Sequence, residues 1–372
     1  MKVLTVFGTR PEAIKMAPVV QALAQAPDWF DAMVCVTAQH RQMLDQVLRL
    51  FNITPDVDLD LMQPNQDLFQ ITTAVLNGMK QVLSTHQPDV VLVHGDTTTT
   101  LATSLAAFYL RIPVGHVEAG LRTYNRFNPF PEEINRVVTD NVASLFFAPT
   151  PESRDNLLKM AADPARVYLT GNTVIDALFY TLAQPSTAPL PVALNPERRL
   201  VLVTVHRREN FGRPLESICR ALRQIVQQHP DVEMVLPVHP NPNVFKTVHA
   251  ELGGLERLHL IEPLEYEPFC RLMAQATLIL TDSGGIQEEG PSLEKPVLVL
   301  RHETERPEAV TMGTVRLVGS NEQTILEEVS RLLTDANAYT TMAHAANPYG
   351  DGQAAGRIVN ALKQFSVALQ SA

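Results

Sequence analysis

Short apolar runs rich in Val, Ile and Leu return along the chain, separated by longer segments of helical period. In the first half they are Val3–Phe7, Met33–Thr37, Val90–His94, Val114–Val117, Leu145–Ala148 and Val167–Thr170. The rhythm restarts with Leu200–Val205, Glu233–Val238, Leu258–Ile261, Thr277–Thr281, Pro296–Leu300 and Val315–Val318. Such runs fit parallel strands, covered on both faces by crossover helices. Between the halves, Thr181 to Arg199 holds Pro185, Pro189, Pro191 and Pro196. Neither a helix nor a central strand persists through such a stretch, so it reads as an interdomain linker or flanking loop. A length of 372 residues points the same way, since single cores split beyond roughly 250–300 residues. The expected division is 1–172 and 173–354, with a terminal helix at Ala354–Leu369 and residues 355–372 able to pack on the first domain. Doubly wound sheets take ligands at the carboxyl ends of their strands, here in a cleft between the two domains.

A formal charge of −10 leaves no overall positive field to offset phosphate repulsion, which excludes nucleic acid and anionic membrane as expected partners. Any phosphate site must be local. Cys35, Cys219 and Cys270 are odd in number and lack metal-ligand spacing, so they read as reduced thiols rather than a disulfide framework or a zinc site. No run approaches the ~20 apolar residues of a membrane span, and the opening apolar run is too short for a signal peptide. A soluble, cytoplasmic protein is expected.

The first strand runs into Gly8-Thr9-Arg10-Pro11-Glu12, with Lys15 one turn on. A helix N-terminus flanked by Arg10 and Lys15 attracts anions; the plain alternative is a capped turn with two solvated cations. The spacing is not G-x-G-x-x-G, so a dinucleotide has little support. Past Val90–His94, Asp96 precedes a threonine run and reads equally as a catalytic base or an N-cap. Glu118 follows the next strand, so the two acids belong on one rim, where like charges can separate an acid from a base. In Pro129-Phe130-Pro131-Glu132-Glu133 the acids begin a helix, and the dipole explains Glu133 better than Glu132.

In the second half His206-Arg207-Arg208-Glu209-Asn210 concentrates cations after a strand, as a diphosphate would need, or else forms an internal salt-bridge network with Glu209. His239 ends the next strand and alone says little. The strongest phosphate signal is Thr281-Asp282-Ser283-Gly284-Gly285, a small-residue turn opening a helix, with Glu289 one turn in, placed to accept ribose hydroxyls. Arg301 and Thr304-Glu305-Arg306-Pro307-Glu308 follow the next strand and add charge to the same rim.

Nine segments occur in one order: GTRPEAIKMAP, TAQHRQMLDQV, HGDTTTT, GHVEAGLRT, PFPEE, HRREN, TDSGGIQEE, ERPE and NPYGDGQA. Together they resemble the non-hydrolysing UDP-N-acetylglucosamine 2-epimerases, from Met1 to about Arg357. The resemblance implies a GT-B-like α/β fold of two Rossmann-like domains with parallel sheets facing across a cleft, hinged near 172–176 and 350–356. It implies that Arg10, His206, Ser283, Gly284, Gly285, Glu289 and Arg306 bind UDP, with Phe269 near the uracil and Lys15 at the substrate. Asp96, Glu118 and Glu132 are implied as catalytic acids, with His206 beside the leaving diphosphate. Gln39, Gln42, Arg207 and His239 are implied contacts for an activating second UDP-GlcNAc. The chemistry implied is reversible epimerisation of UDP-GlcNAc to UDP-ManNAc by anti elimination to 2-acetamidoglucal and re-addition of UDP, for surface polysaccharide synthesis. No cofactor and no metal are needed, and a homodimer is expected. The alternatives are a hydrolysing epimerase and a GT-B glycosyltransferase.

Overall fold

The computed structural model describes residues 1–38, 41–61, 63, 66–185 and 189–370, without the side chains of 41, 42 and 370. Gln39 lies outside the described residues, as does the side chain of Gln42. The chain divides into two compact units, one of Met1–Tyr180 with Tyr349–Ala372 and one of Thr181–Pro348.

The first unit is built on β1 (Lys2–Phe7), β2 (Asp31–Val36), β3 (Val57–Asp58), β4 (Val90–His94), β5 (Val114–Val117), β6 (Leu145–Ala148) and β7 (Val167–Leu169), in the spatial order β3-β2-β1-β4-β5-β6-β7. Every pairing is parallel. The second contains β8 (Arg199–Thr204), β9 (Val232–Pro237), β10 (Leu258–Ile261), β11 (Leu278–Thr281), β12 (Val297–Val299) and β13 (Val315–Leu317), ordered β10-β9-β8-β11-β12-β13, also all parallel. Both are doubly wound α/β sheets, and the second repeats the strand order of the first.

β3 was not among the expected strands. It is a two-residue edge piece paired with Cys35 and Val36, and its Val57-Asp58 pair carries too little apolar content to stand out. The central strands explain themselves: all five residues of β4 are buried, and each covered Val or Leu contributes about 1.5–3 kcal/mol. Helices Leu68–His86 and Thr98–Tyr109 cover one face through Val75, Met79, Leu83, Ala102 and Ala106. In the second unit, helix Arg213–Gln228 places Leu215, Ile218, Leu222 and Ile225 on the corresponding core.

The proline-rich stretch carries no helix or strand over residues 184–185 and 189–198. The C-terminal helix Ala354–Gln370 packs against helix Arg10–Ala24. Its first N–H groups, at Ala354 and Ala355, donate to the Asp176 carboxylate at 3.1 and 2.9 Å. Among the described residues no helix is long and apolar enough to cross a membrane. All three cysteines are buried thiols, and burial first pushes Cys35 and Cys219 up to about 12.

Strand order matters for function. In each unit the winding reverses between its first strand and the fourth, between β1 and β4 and between β8 and β11. Loops leaving the carboxyl ends of neighbouring strands there diverge to opposite faces and open a crevice.

Candidate active site

At the first reversal, β1 leads into Gly8 and helix Arg10–Ala24. A Cβ on Gly8 would stand 2.1 Å from Thr37 Oγ1, so only glycine lets these loops approach. Thr9 caps the helix and Glu12 completes a capping box. The Glu12 carboxylate accepts from the N–H groups of Gly8 and Thr9 at 3.1 and 2.7 Å and from the hydroxyls of Thr97 and Thr100 at 2.6 and 3.2 Å. This saturated carboxylate ties the β1 loop to the β4 loop. Arg10, half-buried at the first helical position, forms no ion pair with a described residue.

From β4 comes Gly95-Asp96. His94 pairs with Val117 across β4 and β5, so Asp96 and Glu118 leave adjacent strands, whose backbones lie about 4.8 Å apart. The cap of helix Thr98–Tyr109 is Thr97, not Asp96. That answers the ambiguity over Asp96: its side chain is not consumed by the helix end. It forms an ion pair with Arg136, while its backbone carbonyl accepts from Asn135 Nδ2 at 2.9 Å.

Glu118 has φ +64, a left-handed conformation costing a non-glycine residue about 1 kcal/mol or more. Its carboxylate, one-tenth exposed, pairs with Lys15 through Oε2. His94 Nε2 stands 3.5 Å from the same oxygen. His94 is buried, and neither of its ring nitrogens has a hydrogen-bond partner among the described residues. Sequence reasoning missed this histidine because it reads as the last residue of a core strand.

Glu132 and Glu133 begin helix Glu132–Val142 and separate as their spacing implies. Glu133 is buried, accepts from the N–H groups of Thr123 and Tyr124 at 3.0 and 2.9 Å and pairs with Arg136 at 3.0 Å. Glu132 is half-buried and forms no ion pair or side-chain hydrogen bond with a described residue. Arg136 thus bridges Asp96 and Glu133, a link unseen in the sequence although it stands only three residues after Glu133.

Below the rim lies a buried network. His116 Nε2 donates to the Gly95 carbonyl at 2.7 Å, and His116 Nδ1 meets Asp140 Oδ1 at 2.6 Å. Arg122 pairs with Asp140 Oδ2 at 2.6 Å, and Gly120 N–H donates to it at 3.2 Å. Burial opposes ionisation of Asp140, but His116 and then Arg122 outweigh it and hold the carboxyl below its usual range. The network clamps the residues preceding Asp96 and following Glu118.

At the second reversal, β11 ends in Thr281 and the turn enters helix Gly284–Ser292. Ser283 is its N-cap residue but makes no side-chain cap bond, which leaves helix N–H groups for a ligand. A Cβ on Gly284 would meet Arg207 Nη2 at 3.7 Å, and one on Gly285 would meet Glu289 Oε2 at 3.9 Å. Both are ordinary contacts, so the protein's own packing does not require glycine there; close approach of an anion would.

β8 delivers His206 and Arg207. Asp282, wholly buried, accepts from His206 N–H at 2.9 Å and Arg207 N–H at 2.8 Å, and meets His206 Nδ1 at 2.8 Å. His206 stacks on His239 with ring centroids 5.8 Å apart. Arg207 and His239, expected at a second nucleotide-sugar, therefore lie on the rim that holds His206. Burial first, then the neighbouring His206, lowers the pKa of His239.

Glu289 is buried and accepts a hydrogen bond from Tyr266 Oη at 2.8 Å. Burial, and then Glu289, pushes the Tyr266 phenol well above its usual range. Phe269 is half-buried on the same helix as Tyr266. Arg306 Nε pairs with Glu288 Oε1 at 2.5 Å, so helix Gly284–Ser292 braces the arginine from its buried face. Arg301 pairs with Glu209 at 2.6 Å, so the ion-pair partner of this glutamate comes from the loop after β12, and among the described residues none of the cations of its own segment pairs with it. Among the described residues no group of three or more His, Cys, Asp or Glu could hold a metal ion.

Comparison with known proteins adds to this geometry. Residues 21–363 match the family model described as UDP-N-acetylglucosamine 2-epimerase. A UDP-N-acetylglucosamine 2-epimerase of Escherichia coli O157:H7 is 60% identical, over 99% of this chain and 100% of its own length. The crystal structure of a Neisseria meningitidis UDP-GlcNAc 2-epimerase bound to UDP-GlcNAc superposes with TM-score 0.88 at 50% identity, covering 98% of this chain and 100% of the other. A Listeria monocytogenes structure described as a putative enzyme of the same kind reaches TM-score 0.92 at 49% identity, covering 98% and 96%.

Proposed function

The chain belongs to the UDP-N-acetylglucosamine 2-epimerase family, and on that premise we propose that it interconverts UDP-GlcNAc and UDP-ManNAc by elimination and re-addition of UDP. The observation that carries the mechanism is the emergence of Asp96 and Glu118 from neighbouring strands, neither used as a helix cap.

The C2 proton is unactivated while the anomeric bond is intact, so its removal must accompany loss of UDP. A carboxylate of the Asp96 and Glu118 pair takes the proton. The C–H electrons form the C1–C2 double bond, and the C1–O pair departs with the diphosphate, giving 2-acetamidoglucal. Re-addition of UDP at C1, with proton delivery to the opposite face of C2 by the other acid, completes inversion. Each proton transfer contributes ~10²–10⁴-fold. Lys15 and Arg136 hold the two carboxylates in place, and Glu132 stands at the same rim as a third acid or a sugar contact. The uncapped Ser283–Gly285 turn, Arg10 and His206 stabilise charge on the leaving diphosphate, and Glu289 accepts from the ribose. Arg306 and Phe269 complete the nucleotide contacts.

Arg207 and His239, adjoining His206, support a second UDP-GlcNAc as activator; sigmoidal initial rates would accompany it. Exposed Phe69, Phe108 and Tyr109 support a homodimer, which light scattering after size exclusion measures. The product UDP-ManNAc serves surface polysaccharide synthesis in the cytoplasm.

The test is incubation with UDP-GlcNAc in D2O, followed by proton NMR without added cofactor. UDP-ManNAc carrying deuterium at C2 is the expected product. Free ManNAc with UDP would replace the reading with a hydrolysing epimerase, and bound but unchanged substrate would replace it with a transferase.

A further inference from the structure

We propose that Asp282 is a positioning residue that fixes the tautomer of His206 and couples it to the diphosphate turn. The proposal rests on the reading of His206 as the side chain that meets the leaving diphosphate.

Asp282 has no surface exposure, yet both of its oxygens are occupied. Oδ1 lies 2.8 Å from His206 Nδ1 and 3.1 Å from His206 N. Oδ2 accepts from His206 N–H, Arg207 N–H and Asn210 Nδ2 at 2.9, 2.8 and 2.9 Å. Burial disfavours the ionised form, but the hydrogen bond and charge of His206 and the backbone N–H groups outweigh it and hold the carboxyl below its usual range. An ionised carboxylate can only accept, so His206 Nδ1 must carry a hydrogen. The other ring nitrogen, Nε2, is then the one the imidazole presents outward, on a side chain more than one-third exposed.

Two consequences follow. A buried carboxylate behind the ring stabilises an imidazolium, whose Nε2–H donates to negative charge growing on the diphosphate as the C1–O bond breaks. Asp282 also directly precedes Ser283, so the carboxylate that orients His206 is on the turn that supplies the uncapped N–H groups. Motion of one moves the other. His239 stacks on the same ring but is not hydrogen-bonded to its nitrogens, and among the described residues only Asp282 is bonded to one of them, so Asp282 sets which nitrogen is protonated.

The substitution Asp282→Asn makes the argument specific. Three N–H donors converge on Oδ2, so the asparagine oxygen takes that place and its NH2 group occupies the Oδ1 place, facing His206 Nδ1. It donates where the carboxylate accepted, which forces the neutral Nε2–H tautomer.

The measurement pairs long-range proton–nitrogen NMR of the histidine rings with steady-state kinetics in the epimerase assay. The His206 resonances are assigned by their loss in H206Q. The wild-type ring is expected to carry hydrogen on Nδ1, and the D282N ring on Nε2. Turnover of D282N is expected to fall on the order of 10²–10⁴-fold, the scale of losing the aspartate behind an active-site histidine, with KM changed less than about threefold. Adding D282N to H206Q should cost little more, since one residue acts through the other. A wild-type Nε2–H tautomer, or losses that multiply in the double variant, would overturn the proposal. If D282N does not fold, the wild-type spectrum still decides the tautomer. That spectrum does not depend on turnover, so an enzyme inactive on UDP-GlcNAc would sink the functional reading while leaving the tautomer assignment to stand or fall separately.

Discussion

Replacing Glu118 with glutamine removes an acid–base group while keeping its length and its left-handed backbone. If Glu118 moves a proton at C2, turnover falls by ~10²–10⁴-fold, equivalent to about 2.7–5.4 kcal/mol at 1.36 kcal/mol per decade. The substitution also leaves the Lys15 ammonium, 12% exposed, facing a neutral amide. Losing a charged partner at such a site costs about 1–3 kcal/mol, and a unit of this size loses roughly 2–4 °C in Tm per kcal/mol. The two effects are separable. Turnover is followed by proton NMR in D2O, UDP affinity by calorimetry and stability by scanning calorimetry. The expected variant binds UDP within a few-fold of wild type, melts several degrees lower and shows neither epimerisation nor C2 exchange. Turnover within threefold of wild type would refute the assignment of Glu118 as an acid–base group. Loss of UDP binding as large as the loss of turnover would show that Glu118 acts on the nucleotide instead.

Gly284→Ala places a methyl group at the Ser283 turn without straining the fold, because the nearest packed atom to the new Cβ is 3.7 Å away; UDP affinity should drop by calorimetry while Tm stays within about 2 °C. Glu12→Ala removes the capping box and four hydrogen bonds, and a cap alone is worth about 0.5–2 kcal/mol, so the melting transition should fall by several degrees. Asp140 is held below its ordinary value of 3.8. Its contribution is therefore complete above about pH 4 and disappears as pH falls through the lower folded-state value. Asp140→Asn should flatten the acid limb of stability against pH, measured by urea midpoints between pH 2 and 5. Cys35, pushed up to about 12 by burial, should resist alkylation at pH 8 until the protein is unfolded in urea, as peptide mass mapping would show.

Much of the fold was legible because its strands are buried on both faces and need no interpretation of alternation. Val90–His94 and Val114–Val117 appear in the structure with the bounds the sequence implied. Val57–Asp58 is a strand the sequence does not show, since an edge strand of two residues is held by its neighbour's backbone and not by its own composition. Candidate site residues stand out for a related reason: in doubly wound sheets the polar groups that follow buried strands at their carboxyl ends lie where ligands bind. What periodicity cannot supply is the partner of each group. Arg136 lies on a helix and Asp96 on a loop 40 positions earlier, and only the folded chain brings them together. Asp282 was read as part of a phosphate turn, and the three donors that fill its Oδ2 come from residues 206–210.

Partner saturation then separates two kinds of acid that composition treats alike. Glu12, Glu133, Asp140 and Asp282 are buried and filled with protein donors, each joining segments distant in sequence. A carboxylate so occupied cannot take a substrate proton without first losing bonds worth about 1.5–3 kcal/mol each. Asp96 retains over one-quarter of its side-chain exposure, and Glu132 has no partner among the described residues. These are the candidate acids whose side chains stay most open to a ligand. Glu118 belongs with them by position but is more tightly held, by Lys15 and beside His94. That asymmetry has a kinetic meaning: each acid faces a cation, but Glu118 is only 10% exposed against 27% for Asp96, so a proton held on Glu118 should exchange with solvent more slowly than one held on Asp96. Exchange of the C2 proton with solvent should therefore run at different rates from UDP-GlcNAc and from UDP-ManNAc. Equal rates in the wild-type enzyme would remove the basis for distinguishing the two acids.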